Sequence, residues 1–328
     1  MRSSTTSRVS AFMAALIASA MVLAGCAGGD EETTTQAASE GFPVTVEGSY
    51  GPVTVDTKPE RILAIGVETV DMLSALGEQP VAFAGAGFEE DEAMLNESYP
   101  WVEDLYTDEF DPSIISVDTL EREVVASHNP DLIISSSYFV DESAAEELSK
   151  IAPTFVKVAS GDRDWTADFE DIAALVGKSD QVDDILADID AEFAEARETL
   201  GGLQGKTFNM AWVNPDGLRL PPAYGWAEDL GFVPAANQPQ LGTAAVNLSK
   251  ENLPEFAGEI AFVSASEEQV TELEADPRFD SLPSVVNGTM IFTKRPVIDA
   301  GLSVGPSSLT WLLSQILPEL QESPLNNS

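Results

Sequence analysis

The fold is decided by the stretch Arg61-Ile62-Leu63-Ala64-Ile65, a short apolar run that predicts a buried strand. A helical pattern follows from Thr69 to Leu76 and stops at Gly77. The run Pro80-Val81-Ala82-Phe83-Ala84 then predicts a second strand. A strand, a helix and a strand in this order predict parallel neighbours in an α/β sheet.

The same alternation continues in both directions from this stretch. A hairpin is predicted around residues 47–51, helices over 117–128 and 141–150, and strands over 131–135 and 154–158. From Ser179 to Leu200, apolar residues recur at three- and four-residue steps with Asp180 at the cap, which predicts a helix about 30 Å long. A second set of strands, over 207–213, 260–264 and 290–292, follows this helix.

These patterns predict an α/β protein of two lobes joined by one long helix. The expected segments are a lipoprotein signal peptide (1–25), a lipidated cysteine with a disordered tether (26–42), an N-terminal lobe (43–177), the joining helix (178–203) and a C-terminal lobe (204–328). Nothing in the sequence repeats at a fixed period.

The N-terminus predicts export and lipid anchoring. Arg2 and Arg8 precede an apolar run from Ala11 to Ala24, which is shorter than the roughly 20 residues that span a bilayer. The run ends in Leu23-Ala24-Gly25-Cys26, where a lipoprotein peptidase is expected to cut before Cys26. Acyl chains on Cys26 would hold the protein at the extracytoplasmic face of the cell membrane. Since Cys26 is the single cysteine, we expect neither disulfides nor thiol chemistry.

The charge balance narrows the possible partners. The chain has 56 acidic residues against 16 lysines and arginines, a formal net charge of −40. Such a surface repels nucleic acid, so we expect no nucleic-acid partner. The scattered acids predict a solvated surface. In so acidic a protein, an arginine that lies in a pocket is expected to have a specific binding role.

Several motifs resemble those of the class III solute-binding proteins of ABC importers. The segment 58–66 is similar to that family's opening strand, and Asp71-Met72-Leu73-Ser74-Ala75-Leu76-Gly77 resembles the segment that follows it. Asn129-Pro130-Asp131-Leu132-Ile133 and Leu148-Ser149-Lys150-Ile151-Ala152-Pro153-Thr154 resemble two further family motifs. The likeness covers the whole mature chain and is strongest over 58–158.

The resemblance implies two Rossmann-like lobes with a ligand cleft between them. It also implies a binding protein, not an enzyme, which hands its ligand to an ABC permease. Within that family, the chain is most similar to the iron-siderophore branch. This similarity implies a ferric siderophore as ligand and no cofactor. By resemblance, an exposed acidic residue on each lobe meets the permease, and we choose Glu142 and Glu251. We expect a monomer. Haem or cobalamin is the alternative ligand of the same fold.

A ferric siderophore is a bulky and often anionic chelate, so its site should combine aromatic walls with a few cations. Ligands of open α/β sheets bind beyond the carboxyl ends of strands. Residues expected there are Arg219, Arg295, Lys294, Trp212, Tyr138, Tyr224 and Trp165, with Phe139 beside Tyr138 and Arg163 beside Trp165.

Two other kinds of site were weighed. Gly301-Leu302-Ser303-Val304-Gly305 matches the nucleophile elbow of serine hydrolases, which requires a strand before Ser303 and a histidine base. His128 is the single histidine, and its place near a predicted helix end favours a structural role. One histidine is also too few for a typical zinc or manganese site, so we expect no directly bound metal.

Overall fold

The computed structural model describes residues 41–85, 91–102, 109–116, 119–157, 165–223, 225–240 and 243–327. The first half of the chain contains β1 (Val44–Gly48), β2 (Gly51–Val55), β3 (Ile62–Ile65), α1 (Val67–Ala75), β4 (Ala82–Ala84), α2 (Glu92–Ser98), β5 (Ile115–Ser116), β6 (Thr119–Leu120), α3 (Arg122–Ser127), β7 (Leu132–Ser136), α4 (Glu142–Leu148), β8 (Thr154–Lys157) and α5 (Trp165–Leu175). Strands β1 and β2 form the predicted hairpin.

A four-stranded parallel sheet in the order β4-β3-β7-β8 organises this half. All four residues of β3 are buried, and so are the first four of β7. Strands of a parallel sheet are covered on both faces, which is why continuous apolar runs mark them in the sequence. The predicted strand–helix–strand unit around Arg61 is therefore confirmed.

The helix predicted over 117–128 is wrong in its first part. Thr119–Leu120 forms β6 and pairs with β5, and the helix begins only at Arg122. The amide of Glu121 donates to the carbonyl of Ile114 and holds this segment in a hairpin, so the helix can begin only after Glu121. Val117 and Asp118 lie outside the described residues.

The long joining helix is α6 (Ser179–Thr199), whose 21 residues span about 30 Å. It begins one residue before Asp180, which lies in the first turn and not at the cap. Its buried side chains, among them Val182, Ile189 and Phe193, follow the predicted spacing. Helix α6 packs against α5 on the N-terminal side.

The second half contains β9 (Thr207–Asn214), β10 (Gly217–Leu220), α7 (Gly225–Asp229), β11 (Val233–Pro234), β12 (Val246–Ser249), β13 (Ile260–Ser264), α8 (Glu267–Glu274), α9 (Pro283–Val286), β14 (Met290–Thr293), α10 (Arg295–Ala300) and α11 (Pro306–Glu322). Its sheet has the order β12-β10-β9-β13-β14, with β11 paired to β9. Strands β9, β13 and β14 are parallel, while β10 pairs antiparallel with β9 on one side and with β12 on the other.

The largest of the three hydrophobic clusters in the described residues contains side chains from both halves. Helix α11 packs against α6 and against α1, so that Val70 and Leu73 belong to the same buried cluster as Leu309 and Leu312. The last helix of the chain therefore returns to the first half. In the part of the chain that the structure describes, no helix is long and apolar enough to cross a bilayer. The segment boundaries given above remain a prediction.

Candidate functional site

A cavity of about 1070 Å³ opens beside the carboxyl ends of β9, β13 and β14. Residues of α2 and the turn after it contribute one side, and α10 and α11 contribute another. Its lining includes Asn96, Glu97, Pro100, Trp212, Asn214, Arg219, Ser264, Gln269, Phe292, Thr293, Lys294, Arg295, Trp311, Gln315 and Glu319. Ligand pockets usually measure about 300–1,000 Å³, so this cavity has room for a bulky ligand.

Strand β10 brings Arg219 to the cavity. Arg219 is the register partner of Trp212 on the antiparallel strand β9, so their side chains share one face of the sheet. The turn between the strands needs Gly217, whose φ is +146°, and a Cβ there would lie 2.2 Å from the carbonyl oxygen of Leu248. The sequence analysis expected Arg219 shortly after the end of a strand and did not predict β10.

The other two predicted cations lie where β14 passes into α10. Lys294 is the N-cap residue of α10, and Arg295 is its first residue. Arg295 Nε donates to Asp299 Oδ2 at 3.1 Å, one helical turn later. Burial raises the pKa of the Asp299 carboxyl above its usual range, although the Arg295 guanidinium acts in the opposite direction.

Arg219 and Lys294 stand apart from the other described cations. Neither side chain has an ion pair or hydrogen bond with a described residue. Every other lysine or arginine that the structure describes contacts a carboxylate or a backbone carbonyl. In a chain of net charge −40, two cations that have no ion pair with a described residue and line one cavity form a surface suited to an anionic ligand, here called the anion-binding wall.

Two carboxylates and two indoles line other parts of the same cavity. Glu97 and Glu319 also line the cavity, are exposed and form no ion pair with any cation in the described ranges. Trp212 and Trp311 are half-buried, and the Trp311 ring lies 5.5 Å from that of Trp101, measured between centroids. Such rings offer flat apolar surface to a ligand.

Sequence reasoning missed the contribution of α11. Trp311, Gln315 and Glu319 recur every four residues and therefore form one stripe along the helix. That spacing is visible in the sequence, but it does not reveal that the stripe faces a cavity.

Two predicted ligand residues lie elsewhere. Tyr138 follows β7 and is 78% exposed, with its ring 5.0 Å from that of Phe139, and it is not among the lining residues. Trp165 begins α5 and packs 6.1 Å from Phe169. Tyr224 and Arg163 lie outside the described residues. A ligand role for these side chains stays a prediction.

The structure also shows the surroundings of Ser303 and His128, the residues considered for a hydrolase or a metal site. Helix α10, not a strand, precedes Ser303, whose amide donates to the carbonyl of Asp299, so the strand–serine–helix elbow is not formed there. His128 Nε2 lies 2.9 Å from Asp111 Oδ2 at the end of α3. Within the described ranges, no group of three or more histidine or acidic side chains is arranged to hold a metal.

The predicted docking carboxylates are both exposed. Glu142 is the first residue of α4, after the N-cap Asp141, which accepts the amide of Ala144. Glu251 lies in a 3₁₀ helix over 250–255, where its backbone carbonyl accepts Arg278 Nη1. Their role stays a prediction, and Cys26 lies outside the described residues.

Three comparisons place the chain among known proteins. The probable siderophore-binding lipoprotein YfiY of Bacillus subtilis (strain 168) is 26% identical over 266 residues, which cover 79% of this chain and 74% of YfiY. The petrobactin-binding protein YclQ of the same organism is 24% identical over 317 residues, covering 91% of this chain and 90% of YclQ.

Among solved structures, the iron uptake ABC transporter substrate-binding protein PiaA from Streptococcus pneumoniae TIGR4 shares the fold. Its TM-score is 0.66 at 19% identity, with 85% of this chain and 98% of PiaA covered. The family model described as periplasmic binding protein matches residues 62–297. Since this match spans more than half of the sequence, the chain belongs to the periplasmic binding protein family.

Proposed function

We propose that this protein captures a ferric siderophore outside the cytoplasm and delivers it to the permease of an ABC importer. The observation that carries the proposal is a pair of cations, Arg219 and Lys294, that line one large cavity with two indoles and have no ion pair with any described residue. Because neither cation forms an ion pair with a described carboxylate, both are available to bind the iron-coordinating oxygens of an anionic chelate. The names of the relatives YfiY and YclQ agree with this ligand class.

Arg295 supports the same ligand in a different way. Arg295 is the first residue of α10, and Asp299 lies one turn later in the same helix. Their ion pair therefore holds the Arg295 side chain near the N-terminus of α10. Arginine has five donors, so one hydrogen bond to Asp299 leaves others for a ligand. The site therefore combines two cations that have no ion pair within the described ranges with one that is held by Asp299.

The lipid anchor and the permease contact are parts of the same proposal. Cys26 would carry the anchor, and the segment 27–40, small and acidic, would act as the tether. Glu142 and Glu251 would each meet a cation of the permease. Both are exposed in the structure, as a docking residue must be.

Uptake in cells tests the function directly. Deletion of the gene should abolish or strongly reduce uptake of ⁵⁵Fe from at least one ferric siderophore, and the wild-type gene should restore it. Unchanged uptake from every siderophore tried, in cells without a second binding protein for them, would contradict the proposal.

A further inference from the structure

A buried carboxylate connects α1 to the start of α11. Asp71 is 0% exposed. Its Oδ1 accepts the amide of Ser307 at 2.8 Å, and its Oδ2 accepts the amide of Ser308 at 2.9 Å. Asp71 and Ser307 are 236 residues apart in the sequence, so this contact joins the two halves of the chain.

Helix α11 is built to receive this carboxylate. The first amides of a helix have no partner within the helix, and a negative charge is favourable beside them. The N-cap residue of α11 is Gly305, which has no side-chain oxygen to offer. A Cβ at Gly305 would lie 2.6 Å from Asp71 Oδ2, so glycine leaves the space that the carboxylate occupies.

No lysine or arginine among the described residues pairs with Asp71. Its carboxylate is stabilised instead by the two backbone amides at the start of α11. Burial raises the pKa of the Asp71 carboxyl above its usual range, while the hydrogen bonds from Ser307 and Ser308 partly offset this effect. Desolvation of a carboxylate is costly. Both oxygens nevertheless accept an N–H, which is the arrangement of an ionised carboxylate and not of a carboxylic acid.

The helix that Asp71 holds is also a wall of the ligand cavity. Trp311 lies one turn after Ser307 and Ser308, and Gln315 and Glu319 continue the stripe. The Trp311 ring contacts Trp101, which belongs to the first half. The position of this wall therefore depends on where α11 begins relative to α1.

We propose that Asp71 is a positioning residue for ligand binding, which fixes the start of α11 so that Trp311 and Gln315 keep their places in the cavity. It acts through the helix and does not touch the ligand. This inference rests on the proposed function, because it assumes that the cavity holds the ligand.

The test compares Asp71→Asn with the matched control Asp141→Asn. Both aspartates accept backbone amides at the start of a helix, but α4, which Asp141 caps, does not line the cavity. The probes are ferrichrome and the ferric forms of petrobactin and staphyloferrin B. Dissociation constants are measured well below the unfolding temperature of each variant, where all molecules are folded, so a loss of global stability alone does not change them.

We expect Asp71→Asn to raise the dissociation constant of a bound probe at least about fivefold. The NH₂ group of the asparagine side chain would face the backbone N–H of Ser307 or Ser308, so one of the two hydrogen bonds that hold the start of α11 would be lost. Asp141→Asn should leave it unchanged. If Asp71→Asn does not fold, Gly305→Ala serves instead, since its Cβ displaces the carboxylate while the charge remains.

The outcomes separate this inference from the proposed function. Wild-type affinity in both Asp71→Asn and Gly305→Ala would overturn the positioning role while leaving siderophore binding intact. Equal losses in Asp71→Asn and Asp141→Asn would also overturn it. A wild-type protein that binds no ferric siderophore would contradict the proposed function itself, and the inference with it.

Discussion

Replacing Arg219 by alanine should weaken ligand binding strongly and leave folding almost unchanged. In the structure, the Arg219 side chain is exposed, lies beside Trp212 across the β9–β10 pair and has no partner among the described residues. Its removal therefore breaks no side-chain ion pair or hydrogen bond with a described residue. Surface substitutions of this kind usually change the free energy of unfolding by less than about 0.5 kcal/mol.

The effect on binding follows from the charge of the expected ligand. A hydrogen bond to a charged group contributes about 1.5–3 kcal/mol. That range corresponds to a dissociation constant about 10- to 150-fold higher for Arg219→Ala. Lys294→Ala should cause a loss at the lower end of this range, because an ammonium group cannot form the bidentate pairs that arginine forms.

Arg295→Ala should weaken binding less than Arg219→Ala, since Asp299 already uses part of the Arg295 guanidinium. The same change should raise the pKa of Asp299 further, because burial would then act without the opposing cation. Carboxyl chemical shifts followed against pH would report this second effect.

The assay is the quenching of tryptophan fluorescence by a ferric siderophore, with thermal unfolding measured in parallel. The matched control is Arg278→Ala, an arginine of the same half that is held by Asp276 and does not line the cavity. Wild-type affinity in both Arg219→Ala and Lys294→Ala would refute the placement of the anion-binding wall. Equal losses in Arg219→Ala and Arg278→Ala would refute it as well, since only a general charge effect would remain.

Three further predictions concern the anchor, the docking surface and an ion pair. Cys26→Ala should release the protein from the membrane fraction or leave it unprocessed, and mass spectrometry should show that the acyl chains are missing. The double change Glu142→Ala and Glu251→Ala should slow uptake into cells while the dissociation constant of the ligand stays at its wild-type value. The pKa of Asp276 is about 2, held down chiefly by hydrogen bonds from Arg278. Asp276 therefore stabilises the fold above its ordinary pKa of 3.8, and this contribution is lost as the pH falls towards 2; Arg278→Ala should return the midpoint of an NMR titration towards 3.8.

Controls separate these outcomes from general effects. For docking, Glu123→Ala with Glu228→Ala removes two exposed carboxylates from other helices, α3 and α7. Equal uptake by the two double variants would remove Glu142 and Glu251 from the docking surface. For the anchor, a Cys26→Ala protein that keeps its acyl mass and membrane partition would contradict the lipoprotein hypothesis. For the ion pair, a midpoint that stays near 2 without Arg278 would show that another group lowers the pKa of Asp276.

The central strands of the first sheet could be predicted because each is marked by residues within its own short stretch of sequence. Strands β3 and β7 are short runs of mostly apolar buried residues, and the helices beside them end at Ala75 and Ser127, just before Gly77 and His128. Strand β10 was not predictable in this way. It is four residues long, and its second partner β12 is mostly exposed, so neither shows a clear hydrophobic pattern.

The site was predictable in part for a related reason. Arg219, Lys294, Arg295 and Trp212 come near strand ends, and the general geometry of α/β sheets brings such residues together. The contribution of α11 depends on long-range packing. Nothing near Asp71 in the sequence indicates that its carboxylate meets amides 236 residues later, and nothing near Trp311 indicates that the ring faces a cavity.

The most direct test of the ligand class is a fluorescence titration of the purified mature protein. Trp212 and Trp311 line the cavity, and ferric chelates that absorb visible light quench nearby indoles. The titrants are a panel of ferric siderophores, haem, cobalamin and free Zn²⁺. We predict saturable quenching by at least one ferric siderophore with a dissociation constant of about 1 μM or lower, which corresponds to about −8 kcal/mol. Quenching by haem or cobalamin alone, with no response to any ferric siderophore, would contradict the proposed ligand.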